Sequence, residues 1–258
     1  FIPIAEDTGI ICEIGEWALR DALAVLRTWI DTGVVDPTTT ISVNVSPRQI
    51  AHPGFTDVVR DALRTSGVSP HLLWLEMTET MMLEEPELAA HTLREVRAMG
   101  VQLALDDFGT GFSSLSLLQN FPIQRIKIDR AFVQGIADNN NDRSLVRTIV
   151  AMADSMGLDL VAEGVETVHQ LQSLRELGCS KAQGYLISHP VPAPAMGSTM
   201  TALAELANLS LFQPTTIRTT ISASKTGTTR GEAPVPTTAG AGTYGYASPR
   251  GPIGQPTV

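Results

Sequence analysis

The chain has 258 residues and is 43% hydrophobic, enough apolar material to bury one large core or two modest ones. Its 27 Asp and Glu residues against 18 Lys and Arg give a net charge of −9, which argues against nucleic acid and anionic membrane surfaces as general partners. Two cysteines, Cys12 and Cys179, are too few for a disulfide framework or a Cys-built metal site, so a reducing, cytoplasmic setting is expected.

Residues 2–9 (IPIAEDTG) read as a short helix, with Pro3 suited to its first turn and Gly9 to its stop. A longer helix follows, in which Ile11, Ile14, Ala18, Ala22, Val25 and Trp29 recur at spacings of three and four until Gly33 ends it. Residues 40–46 (TISVNVS) alternate and are rich in β-branched side chains, which predicts a strand with Asn44 near its C-terminal end. A helix over 54–66 comes next. The pattern then repeats: strands over 72–77, 101–106, 125–129, 158–163 and 182–187, and helices over 85–99, 142–156, 168–177 and 198–208. Six strands alternating with helices predict parallel βα units. From residue 213 the composition shifts to Thr, Pro, Gly, Ala and Ser, which cannot offset the entropy of ordering. The expected organisation is one domain over 1–212 and a disordered tail over 213–258. No apolar run approaches the ~18 residues that span a bilayer. The first residue is Phe1 rather than Met, so an upstream signal or anchor stays open.

The strand over 101–106 ends in Asp106 and Asp107, followed by a glycine-rich stretch through Gly109 and Gly111. Adjacent carboxylates repel each other, and a cation is the usual reason to place them together. In a parallel βα barrel the C-terminal strand ends share one face, where active sites are built. Asn44, Glu76, Asp106, Asp107, Lys127 and Glu163 would converge there. Each has a structural reading alone: Glu76 as a turn cap, Lys127 as a solvated lysine, Glu163 as an arginine partner. Together they point to a site for hard, oxygen-bound cations.

With these residues in place, the motifs FIPIAEDTG, IGEW, VNVSPRQ, LEMTET, DDFGTGFSSL, KIDRAFV, AEGVET and QGYLISHP, in this order over 1–192, resemble the EAL-domain family of cyclic di-GMP phosphodiesterases. The resemblance implies a TIM-like (β/α) barrel whose first two strands, with the Glu-x-Leu signature and its metal-ligating glutamate, are absent from these 258 residues. The expected explanation is a shortened form of a longer protein. It implies two Mg²⁺ or Mn²⁺ ions, with Asn44, Glu76, Asp106, Asp107 and Glu163 as ligands, and Lys127, Glu163 and Gln183 as the catalytic group. It implies Glu79 as the anchor of the loop after Asp107, and Asp129, Glu166 and Pro190 as substrate contacts. Phe112 stands where many relatives carry tyrosine, and His189 where many carry arginine or lysine. The partners implied are cyclic di-GMP, a second copy docking through that loop, and upstream GGDEF or sensory domains in a longer parent. The implied reaction is hydrolysis to linear 5'-pGpG, impaired in the shortened chain, whose open barrel would leave it poorly stable. The alternative is a sensor that binds cyclic di-GMP without cutting it.

Overall fold

The computed structural model describes residues 1–79, 86–109 and 115–207. Five parallel strands form one sheet in the order in which they occur: β1 (Ile41–Asn44), β2 (Leu73–Thr78), β3 (Gln102–Phe108), β4 (Arg125–Ile128) and β5 (Asp159–Ala162). Asn44 pairs with Glu76, Thr78 with Asp106 and Ile128 with Ala162, so the C-terminal strand ends lie together at one end of the sheet. Leu73, Leu75, Leu103, Ala104 and Leu105 are fully buried, as expected of central parallel strands covered on both faces.

Helices fill the connections. Helix α1 (Ile2–Thr8) precedes α2 (Ile11–Asp31), which packs on β1 through a buried stripe of Leu19, Leu23 and Leu26. Between β1 and β2 come α3 (Pro47–Ala51) and α4 (Phe55–Ser66). Helix α5 (Pro86–Ala98) leads into β3, α6 (Leu115–Asn120) into β4, and α7 (Arg130–Gln134) with α8 (Asn140–Met156) into β5. Helices α9 (Val168–Glu176) and α10 (Met196–Ala207) follow. The short helices α3, α6 and α7 lie outside the sequence reading, because one or two turns show no periodicity.

The expected sixth strand over 182–187 is not one. A single bridge joins Ala182 to Ala162, and Gln183 N–H donates to the Ala162 carbonyl at 2.8 Å. The chain then turns, with Ile187 and Ser188 both donating to the Gly184 carbonyl. The cause is the crossing at Gly184, where an added Cβ would sit 2.3 Å from the backbone of Val165. Only glycine lets the two backbones approach so closely.

The N-terminal end of the sheet carries its own polar group. Asp159 accepts from Arg125 Nε at 2.9 Å and from Lys181 Nζ at 2.6 and 2.7 Å. The Arg125 guanidinium lies over the Trp74 ring, 3.5 Å from its centroid, in cation–π geometry. Burial favours the neutral acid at Asp159, but hydrogen bonds from Lys181 and Arg125 outweigh it and hold the carboxyl below its ordinary range. The expected tail over 213–258, its boundary at 212, and Gly111 and Phe112 lie outside the described residues.

Candidate functional site

Lys127, 4% exposed, projects from β4 toward the C-terminal end of the sheet. Its Nζ lies 2.5 Å from Glu76 Oε2 on β2, 2.6 Å from Glu163 Oε1 just past β5, and 3.0 Å from Asp106 Oδ1 on β3. Three carboxylates separated widely in sequence thus meet on one ammonium. Asn44 pairs with Glu76 in register, which puts both side chains on the same face of the sheet.

Asp107 joins them through a break in β3. Consecutive residues of a regular strand point to opposite faces. Between Leu105 and Phe108 the register against β4 shifts, and Asp107 adopts a φ of +52°, which aspartate tolerates better than most residues. The Asp107 N–H donates to Asp106 Oδ1 at 3.0 Å. As a result one carboxylate oxygen from each of Asp106, Asp107 and Glu163 lies within 4.8 Å of the others.

The charges do not balance. Burial pushes the Glu163 carboxyl up; Lys127 pulls it back, while Asp106 and Glu76 add repulsion, and the net shift is upward. The Asp107 carboxyl is raised by burial, by Asp106 and by Asp129. Burial disfavours the Lys127 ammonium, yet its hydrogen bonds to Glu163 and Glu76 prevail and hold it above its ordinary range. This donor set is entirely oxygen and carries surplus negative charge. It fits a hard divalent cation, which would relieve the repulsion that raises Asp107 and Glu163.

The other expected residues lie at varied distances from this centre. Asp129 caps α7, its Oδ1 accepting from Ala131 N–H at 2.7 Å. Gln183, Glu163 and Glu166 line one cavity of about 200 Å³, together with Arg130 and Tyr185. Glu79, 4% exposed, sits one residue beyond β2, but the loop assigned to it, 110–114, lies outside the described residues. Pro190 is exposed, and no described contact ties it to the carboxylates.

Sequence reasoning missed Arg130 and Tyr185. Arg130 Nη2 pairs with Glu166 Oε1 at 2.7 Å across the cavity, and the Tyr185 ring stacks on His189 with centroids 4.2 Å apart. Arg130 directly follows Asp129, and that adjacency at a strand end was the available signal.

Residues 1–190 match the EAL domain family. The chain is 43% identical over 193 residues to the bifunctional diguanylate cyclase/cyclic di-GMP phosphodiesterase MucR of Pseudomonas aeruginosa, covering 75% of this chain and 28% of that one. It is 42% identical over 202 residues to an uncharacterised signalling protein of Caulobacter vibrioides, covering 78% of this chain and 24% of that protein. The chain therefore spans about a quarter of the length of these curated relatives. Among solved structures it is similar to the MucR phosphodiesterase in complex with c-di-GMP, with a TM-score of 0.72 at 42% identity, covering 76% of this chain and 78% of that one. It also resembles Klebsiella pneumoniae BlrP1 in a complex with manganese and c-di-GMP, with a TM-score of 0.63 at 29% identity, covering 69% of this chain and 45% of that one. The fold is the TIM-like α/β fold of these neighbours, and the chain belongs to the EAL domain family.

Proposed function

We propose that the protein of which these residues form part hydrolyses cyclic di-GMP to linear 5'-pGpG at the C-terminal end of the sheet. The observation that carries this reading is the convergence of Glu76, Asp106 and Glu163 on Lys127, with Asp107 brought alongside. In this reading two Mg²⁺ or Mn²⁺ ions would be held there, one by Asn44, Glu76 and Asp106 and the other by Asp106, Asp107 and Glu163. Such ions supply Lewis acidity, lowering the pKa of water and offsetting phosphodiester charge.

The chain's own residues do the rest. Lys127 fixes the carboxylates in one constellation and adds positive charge beside the scissile phosphate. Glu163, whose Oε1 lies 2.6 Å from Lys127 Nζ, is the proposed acceptor of a proton from the attacking water. Gln183 completes the polar wall next to Glu163. Asp129, Glu166 and Pro190 are proposed substrate contacts, and Glu79 the anchor of the loop after Asp107, which is also the proposed contact with a second copy. Upstream GGDEF or sensory domains and a cytoplasmic location complete the reading. No helix among the described residues is long and apolar enough to cross a membrane.

The test is incubation with cyclic di-GMP and Mg²⁺ or Mn²⁺, following the linear dinucleotide by chromatography. Metal-dependent product is expected from a longer chain that includes the Glu-x-Leu segment, and far less of it from the 258 residues alone. Binding of cyclic di-GMP without product from either would replace the hydrolase with a sensor.

A further inference from the structure

Two of the motifs, IGEW in α2 and SPRQ at α3, have no part in the site described so far, yet they meet. Gln49 is 5% exposed and its side chain lies against α2 at Gly15. A Cβ built on Gly15 would sit 1.9 Å from Gln49 Nε2 and 2.4 Å from its Cδ, so the amide occupies the space that any side chain at 15 would need. From that seat Gln49 Oε1 accepts from the Ser46 N–H at 3.0 Å, and Ser46 Oγ accepts in return from the Gln49 N–H at 3.3 Å. This is a capping box at the start of α3, with Pro47 in the first turn.

The two peptide groups that follow Asn44 are therefore both tied down. The Val45 N–H donates to the Glu76 carbonyl at 2.9 Å, which fastens it to β2. The Ser46 N–H is fastened to Gln49, which is seated on α2. A cavity of about 170 Å³, lined by Cys12, Gly15, Val45, Gln49 and His52 among others, borders the amide. An evicted Gln49 side chain has space to enter, so releasing it need not unfold α3.

We infer that Gln49, seated on Gly15, is a positioning residue that aims Asn44 at the cation site by holding the Ser46 peptide. The inference rests on the proposed metal role of Asn44. Gln49 touches neither cation nor substrate; it acts through the backbone of residues 45 and 46. Partners of this kind around metal ligands typically change affinity by about 10–100-fold when removed.

The test is a Mn²⁺ titration of the 258-residue chain, reading free Mn²⁺ by electron paramagnetic resonance, with circular dichroism and Tm recorded for each variant. Gln49→Met fills the seat but lacks the acceptor, and is expected to weaken Mn²⁺ binding roughly tenfold. Gln49→Glu keeps an acceptor suited to the capping box and should retain the affinity. Gly15→Ala, which moves the amide without deleting it, should behave like Gln49→Met, and is read in its place if that variant does not fold. Adding Gln49→Met to Asn44→Ala should cost no further affinity, because the group being aimed is already gone. A lowered Tm with unchanged Mn²⁺ affinity would make Gln49 purely structural and overturn the inference, as would additive losses in the double variant. Failure of the unsubstituted chain to bind Mn²⁺ would overturn the metal reading and this inference together.

Discussion

At the C-terminal end of the sheet Lys127 faces Glu76, Asp106, Asp107 and Glu163, whereas at the N-terminal end Asp159 faces Arg125 and Lys181. Both groups hang from the same strands, β4 and β5, only a few residues apart. The N-terminal group satisfies its single carboxylate twice over and lowers the pKa of Asp159. The C-terminal group leaves its carboxylates in excess and raises the pKa of Asp107 and Glu163. A set of charges that only had to hold strands together would resemble the first. The second is arranged for something that is not a side chain, which agrees with the general division of βα barrels into a stabilising N-terminal face and a reactive C-terminal one.

The sharpest way to break this contrast is Lys127→Met. Removing the ammonium leaves Glu76 and its neighbours as uncompensated, largely buried charges, and is expected to cost about 3–5 kcal/mol by urea unfolding in the absence of metal. Added Mn²⁺ should restore part of that loss. An equal loss with and without Mn²⁺ would mean that the carboxylates hold no cation.

Glu163→Gln comes next. It should cut linear dinucleotide formation roughly 10²–10⁴-fold, as loss of a positioned proton acceptor does. Its effect on stability has the opposite sign. The folded-state carboxyl is raised above 4.5, so in the window just above that value the folded chain holds protons that the unfolded chain has released. Stability therefore falls as pH rises through that window, and Glu163→Gln should flatten the fall in a series of urea titrations.

Asp159→Asn should have the smallest effect, about 1–2 kcal/mol at neutral pH for lost, partly exposed charge-assisted hydrogen bonds. Because Asp159 is depressed below 3.8, its contribution is present above that value and lost as pH falls through the lower folded-state value. The variant should remove that acid-side loss and leave Mn²⁺ affinity intact. A change in metal binding would show that the two ends of the sheet are not independent.

Much of this was legible in the residues. Strand periodicity places Asn44, Glu76, Asp106, Lys127 and Glu163 near strand ends, and parallel register then brings those ends together whatever the loops do. Asp107 was legible as a companion of Asp106, but its orientation was not, because it depends on a register break against β4 that no local pattern announces. The strand expected over 182–187 failed for a related reason. Its composition suits a strand, and the turn is imposed by contact between Gly184 and Val165, residues from different segments. Helix α3 had a readable capping signal in Ser46, Pro47 and Gln49, but too little length for its periodicity to show.

The seat at Gly15 has a consequence for how this sequence can drift. Positions 15 and 49 share one volume, so a side chain gained at 15 displaces the Gln49 amide from its seat. A lineage that gains a side chain at 15 must shorten residue 49, swing its amide into the neighbouring cavity or move α3 away from α2. Among related sequences the two positions should therefore vary as a pair: glycine with a long amide, or a larger residue with a small one, and seldom large with large.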